Sequence, residues 1–147
     1  VAHSCVDVAA DPDRVFDVLV DPRTYPAWLI GADHVRAVDA GWPTPGSRFH
    51  HTVGVWPLHV HDRSEVLEVE RPRRLRLAVR ATAMVRAVVT ITLRGDATGT
   101  TICLEEEPAV PVIGEVVRPV LDPLTHVRNH ASLRRLARLL EADNPSP

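Results

Sequence analysis

Asp122-Pro123-Leu124-Thr125-His126-Val127-Arg128-Asn129-His130-Ala131-Ser132-Leu133-Arg134-Arg135-Leu136-Ala137-Arg138-Leu139-Leu140-Glu141-Ala142 runs free of Pro and Gly from Leu124 onward. Asp-Pro is a helix start: the aspartate caps, and a proline at the first helical position gives up only a donor that would be unpaired there. The stretch predicts an uninterrupted helix of about 20 residues, roughly 30 Å long. Pro111, Pro119 and Pro123 exclude one helix running from residue 111. At 100° per residue Leu133, Leu136, Ala137 and Leu140 form one stripe, and its N-terminal continuation is Asn129, His130 and His126. A helix that only plugged a core would be apolar throughout. The N-terminal half is therefore expected to look onto a polar, partly wet cavity. The competing reading is a satisfied internal network of Asp122, His126, Asn129 and His130.

Working back from this helix, the chain changes period. Ser4-Cys5-Val6-Asp7-Val8 alternates and reads as a first strand. Asp11-Pro12 and Asp21-Pro22 open two short helices. The first carries Val15, Phe16 and Leu19 on one face; the second carries Tyr25 and Trp28 and is cut at Pro26. Six further strands follow: His34–Val38, Ser47–Val55, Leu58–Val69, Arg74–Arg80, Val85–Arg94 and Thr100–Glu107. Their breakers are Gly41-Trp42-Pro43, Gly54-Val55-Trp56-Pro57, Arg71-Pro72 and Gly95-Asp96-Ala97-Thr98-Gly99. Such short spacing makes hairpins, hence an antiparallel meander. A seven-stranded sheet has one face to cover, and the long helix is the only element large enough to cover it. A twisted sheet curled around one helix leaves a space near one end, where a ligand would go.

The chain has 147 residues, 45% hydrophobic and 24% charged, with a net charge of -2. These values suit a single globular domain, here residues 1–142 with a frayed tail over 143–147, and exclude a disordered or disulfide-scaffold protein. The charge gives no basis for nucleic-acid binding. No apolar run is long enough to span a bilayer, and no secretory signal is read at the N-terminus, so a cytoplasmic address is expected. All 17 basic residues are arginine, without a cluster along the chain, which reads as compositional bias. Two cysteines, Cys5 and Cys103, are too few for a framework and are expected to stay reduced.

Several stretches then resemble one family: Asp11-Pro12-Asp13-Arg14-Val15-Phe16, Asp21-Pro22-Arg23-Thr24-Tyr25-Pro26-Ala27-Trp28, Gly46-Ser47-Arg48-Phe49, Glu68-Val69-Glu70-Arg71-Pro72-Arg73-Arg74-Leu75, Gly99-Thr100-Thr101-Ile102 and the terminal helix. Together they cover nearly the whole chain. The sequence resembles the helix-grip superfamily, which contains START lipid-transfer domains, birch-pollen-allergen-like proteins, and polyketide cyclases and dehydratases. The resemblance implies an α+β helix-grip fold: a seven-stranded antiparallel sheet curled around a long C-terminal helix, with two short helices after strand 1. It implies a hydrophobic small molecule bound in the cavity. In that fold the first and last strands are neighbours, which makes Cys5 and Cys103 candidate cross-strand neighbours on the outward face. Each motif is a cap, a buried Trp, a turn or a hairpin, and none is a catalytic signature.

Register arithmetic assigns the lining. A turn centred between Val55 and Trp56 pairs Phe49 with Asp62, His51 with Val60 and Val53 with Leu58 on the inward face, continued by Ser64 and Val66. His50, His59, His61, Arg63 and Glu65 then face outward; three histidines there could hold Zn²⁺, but no carboxylate or thiol is fixed among them, and no metal site is expected. In the last strand Ile102, Leu104 and Glu106 point in. The candidate ligand-binding set is thus His51, Asp62, Glu106, His126, Asn129 and His130, with Tyr25 and Trp28 as an aromatic edge. Core packing is the competing role for Trp28; Trp42 and Trp56 sit in turns, where a gating role competes with simple exposed turn packing, the favoured reading.

No phosphate loop, nucleophile elbow or zinc-protease helix is present. The leading expectation is a cofactor-free binder of an apolar, lipid- or polyketide-like molecule. The alternative is a cyclase- or dehydratase-like enzyme in which His126 or His130 acts as acid or base, Asp62 or Glu106 orients it, and Asn129 donates to an oxyanion. A third reading, an interaction module with a filled core, predicts no void.

Overall fold

Each aspartate-proline pair near the N-terminus starts a turn of helix. The Asp11 carboxylate accepts from the Arg14 amide at 3.1 Å and opens α1, Pro12–Leu19, whose Val15, Phe16 and Leu19 are buried. The Asp21 carboxylate accepts from the Arg23 amide at 3.0 Å and opens a 3-10 turn, Pro22–Thr24, which runs directly into α2, Tyr25–Trp28. Pro26 does not cut this helix, contrary to the sequence expectation. It occupies the first turn, where its missing N–H has no partner to lose.

The computed structural model describes residues 2–30, 32–55, 58–80, 86–108 and 113–142, with side chains except those of 2, 32–34, 36, 53–55, 58–62 and 113–122. The expected tail 143–147, the turn residue Trp56 and the Asp122 side chain lie outside what is described. The strands are β1 (Ala2–Val8), β2 (Ala32–Val38), β3 (Arg48–Val55), β4 (Leu58–Glu70), β5 (Arg74–Arg80), β6 (Arg86–Asp96) and β7 (Gly99–Pro108), and the chain ends in α3 (Ile113–Ala142). They form one antiparallel sheet in the order β1-β7-β6-β5-β4-β3-β2. Among the described strands, the pairing of β1 with β7 is the one departure from consecutive order. Register shifts interrupt the β2–β3 and β4–β5 pairs, and Leu67, 40% exposed, sits at the second of them between Val66 and Glu68.

Alternation along the strands separates two faces. Phe49, Val66, Leu75, Leu77, Ile91, Leu93, Ile102 and Leu104 are buried on the inner face and meet Leu133, Leu136, Ala137 and Leu140 of α3. Each fully buried aliphatic side chain contributes about 1.5–3 kcal/mol of transfer free energy, so this layer dominates the fold's stability. Polar ties help to fix the C-terminal half of the helix. Arg14 Nη2 donates to the Leu140 carbonyl at 2.8 Å, and the Ile30 amide donates to Ser132 Oγ at 3.0 Å.

Four details depart from the sequence reading. The helix α3 is 30 residues long and passes through Pro119 and Pro123. Proline fixes φ near a helical value, so each ring costs an i→i−4 bond without ending the helical trace. The β3–β4 register pairs His51 with Asp62, Phe49 with Ser64 and Val53 with Val60, one two-residue step away from the expected pairing. Because the side-chain period is two, that step changes every partner and no face. Cys5 and Cys103 are directly cross-strand with Cα atoms 4.1 Å apart and are joined in a disulfide, not free thiols. Finally, Trp42 is half-buried: its indole N–H donates to the Val20 carbonyl at 2.6 Å and its ring meets Phe49 edge-on.

The β6–β7 turn requires glycine at position 99. A Cβ there would sit 2.1 Å from the Val8 carbonyl oxygen, and φ is +151°. Asp96 ties the same turn by accepting from the Thr98 hydroxyl and amide and from the Gly99 amide. The Thr98 bonds, first among these, hold the Asp96 carboxyl below its ordinary range. Their support of the turn is therefore present above that range and fades on acidification.

Candidate functional site

The amphipathic sense of α3 reverses partway along. In its C-terminal half Leu133, Leu136 and Leu140 are fully buried. Further toward the N-terminus Leu124 and Val127 are 63% and 66% exposed, whereas Asn129 is 2% exposed. The buried side of this part of the helix is polar.

Asn129 reaches β7. Its Nδ2 donates to Glu106 Oε2 at 2.9 Å, and its Oδ1 accepts from Arg128 Nε and Nη2 at 3.3 and 3.2 Å. Arg128 Nη2 also donates to the same Glu106 oxygen, closing a three-residue network. Glu106 lies on the inner face because it is two residues beyond buried Leu104, and only 16% of its side chain is exposed. A carboxylate this far from water needs such donors. Beside it, Ser4 of β1 is buried and its Oγ lies 3.3 Å from His126 Nδ1. His126 and His130 are exposed and stack, with ring centroids 6.5 Å apart. Among the described residues no hydrogen bond joins either histidine to a carboxylate.

A second polar point sits on the inner face of β3. His51 is 6% exposed, lies against the Phe49 ring and has Nε2 3.2 Å from Ser64 Oγ. The register sets Asp62 directly opposite it. Tyr25 and Trp28 meet each other edge-on, and Tyr25 meets Phe49. Their polar atoms are satisfied locally: the Tyr25 hydroxyl donates to the Leu19 carbonyl and the Trp28 N–H to Thr24 Oγ1. Burial, followed by the nearby Asp21 charge, pushes the Tyr25 phenol far above its usual range, so it acts as a neutral donor. Both rings belong to the aromatic core.

The eight residues singled out from the sequence thus separate into three groups: Glu106, Asn129, His126 and His130 at the α3–β7–β1 seam, His51 with Asp62 in register on β3–β4, and Tyr25 with Trp28 in the core. Sequence reasoning missed Arg128 and Ser4; it placed Ser64 inward but did not pair it with His51. Arg128 lies 100° off the helix stripe and reaches the seam through its long side chain. The available signal was Glu106 itself, an inward carboxylate in want of a cation.

The opposite, outer face carries a groove of about 320 Å³ lined in part by Arg48, Arg63, Glu65, Arg80, Arg86 and Val88. Arginines dispersed in sequence thus meet across β3–β6, and Arg48 Nε pairs with Glu65 at 2.8 Å. The groove is charged and lies away from α3, so it does not match the expected apolar site. No helix among the described residues is long and apolar enough to cross a membrane.

Residues 2–141 match the family model described as polyketide cyclase / dehydrase and lipid transport. Among solved structures the chain is similar to the Zhui aromatase/cyclase from Streptomyces sp. R1128, with 18% identity, a TM-score of 0.78, and coverage of 99% of this chain and 95% of that one. It is similar to a protein from Nitrosomonas europaea, with 18% identity, a TM-score of 0.76, and coverage of 97% and 94%. It also aligns with half of the di-domain aromatase/cyclase StfQ from the steffimycin biosynthetic pathway, with 10% identity, a TM-score of 0.73, and coverage of 97% of this chain and 50% of that one. At these identities the likeness is one of fold. No curated protein matches the sequence.

Proposed function

Since the chain belongs to the polyketide cyclase / dehydrase and lipid transport family, we propose that it binds a hydrophobic small molecule, lipid- or polyketide-like, between the inner sheet face and α3. The apolar body of the ligand rests against the Leu and Ile side chains of the inner face. Its polar end meets the seam of Glu106, Arg128, Asn129 and His126. The observation that carries this reading is the reversal of α3, which buries Asn129 and exposes Leu124 and Val127. A helix whose sole task was to close a core would bury those two residues instead. An amide and a guanidinium on a carboxylate are recognition chemistry for a carbonyl or hydroxyl at the end of an apolar molecule.

The test is a titration of the purified full chain with 2-acetylnaphthalene and with 2-ethylnaphthalene, its hydrocarbon counterpart. Asn129→Leu is expected to weaken the ketone about tenfold, the worth of one hydrogen bond in a charged network. The hydrocarbon should stay within about threefold. Circular dichroism confirms that the variant is folded. Absence of saturable binding of either probe to the parent chain contradicts the proposal.

A second reading, a cyclase- or dehydratase-like enzyme, is favoured by one observation: Asp62 opposite His51 on the inner strand pair. A carboxylate held next to an imidazole would tune it to remove a proton next to a carbonyl. In that reading His51→Gln keeps the binding of the ketone probe and loses about 10²–10⁴-fold of any turnover. Unlike this pair, Glu106 is held by Arg128 and Asn129 and not by His126 or His130.

A further inference from the structure

The strand pair that carries the seam on its inner face holds a different chemistry on its outer face. The β1–β7 register sets Cys5 opposite Cys103 and His3 opposite Glu105. Cys5 and His3 are two residues apart, as are Cys103 and Glu105, so all four side chains project from one face as neighbours on a two-by-two grid. That face is the outer one, since Ser4 between His3 and Cys5 is buried against α3. His3, Cys5 and Glu105 are exposed and Cys103 is half-buried. His3 Nε2 lies 3.8 Å from Cys5 Sγ, and the ligand atoms of His3, Cys5 and Cys103 all fall within 4.8 Å of one another.

We propose that this grid, once its disulfide is reduced, is a site for a thiophilic divalent metal ion of the zinc class, ligated by Cys5 Sγ, Cys103 Sγ and His3 Nε2. Glu105 or a water molecule supplies the fourth position. Two thiolates and an imidazole are a donor set that selects tetrahedral Zn²⁺ over oxygen-seeking cations.

Two balanced steps connect the disulfide to the metal form. A dithiol reductant attacks one sulfur and its second thiol resolves the mixed disulfide; the Cys5–Cys103 bond breaks, two Cys thiols form, and the reductant leaves as its own disulfide. The metal ion then displaces the two thiol protons, which pass to buffer, and forms two metal–sulfur bonds. The ion takes over the disulfide's part in holding edge strand β1 to β7. The intact disulfide excludes metal, so occupancy follows the redox state of the pair. The proposal is independent of the ligand reading, because the two sites lie on opposite faces of the sheet.

The experiment titrates Co²⁺ into the full chain after reduction and anaerobic removal of the reductant. One equivalent is expected to give the near-ultraviolet thiolate-to-cobalt band together with tetrahedral d–d bands, and Zn²⁺ should bleach both. Cys103→Ser abolishes the thiolate band, and His3→Ala weakens binding by more than about tenfold, since even partners outside the ligand sphere are worth that much. The oxidised chain gives no bands. His3 is exposed, so its variant tests the assignment even if a cysteine variant fails to fold. Absence of the bands in the reduced parent overturns the site. So does a spectrum retained in Cys103→Ser or unchanged affinity in His3→Ala.

Discussion

Trp28→Ala is expected to lower the free energy of unfolding by about 3–5 kcal/mol. For a chain of this length that corresponds to a fall in Tm of roughly 10 °C. The indole is 2% exposed, meets Tyr25 edge-on and donates to Thr24. Tyr25 in turn rests on Phe49, and Phe49 on Trp42. A void opened among these rings is bordered by flat, mutually wedged groups that leave little freedom to collapse. Urea unfolding read by circular dichroism, with an unchanged slope, measures the loss. The ligand-edge role expected of Trp28 from sequence makes a different prediction, namely a loss below about 1 kcal/mol with an altered affinity for the naphthalene probes. The two roles are thus separable in one variant.

Leu136→Ala is expected to cost about 2–5 kcal/mol. Leu136 is fully buried between Leu133 and Leu140. It stands one turn beyond Ser132 and about two turns from Asn129, on the apolar side of the reversal in α3. Truncation there enlarges the apolar end and leaves the polar seam untouched. Affinity for 2-ethylnaphthalene should therefore be kept or raised even as stability falls. Asn129→Leu is expected to do the opposite, sparing the hydrocarbon and weakening the ketone. Loss of hydrocarbon binding in a folded Leu136→Ala chain would mean that the probe occupies some other place.

The elements were legible where local chemistry decides them. Asp11 and Asp21 cap the turns they precede, and the spacing of the breakers reproduces seven strands with edges within a few residues. The inward face was legible as well where alternation is unbroken, as along β3 and β7, but not across the shift between Val66 and Glu68, beyond which Val69 also packs against the core. Register was not legible, because a two-residue step in a hairpin leaves parity intact: Phe49 and His51 stay inward whether Asp62 is opposite one or the other. Proline content misplaced the start of α3. A proline vetoes a hydrogen bond, and tertiary packing of the remaining helix outweighs that local cost. The expected reduced state of Cys5 and Cys103 came from a supposed compartment, whereas the bond depends on the register that brings their Cα atoms to 4.1 Å.

For the site, alternation in β7 and the stripe on α3 were enough to bring Glu106 and Asn129 together, and the structure joins them by a hydrogen bond. Arg128 was hidden because a long flexible side chain escapes a helical-wheel argument. The polar character of the N-terminal half of α3 was readable, but the satisfied state of the Trp28 and Tyr25 polar atoms was not. Those bonds run to Thr24 and Leu19 within the same short segment, and their geometry follows from how the 3-10 turn and α2 join.

The most direct test of a ligand held between sheet and helix is a set of intermolecular NOEs from 2-acetylnaphthalene to the isotope-labelled chain. Contacts from the ring protons to the Leu104 and Leu133 methyls, with the acetyl methyl near the Asn129 side-chain amide, are predicted. Contacts confined to Val88 and Arg80 in the outer groove, or none at saturating probe, would contradict it.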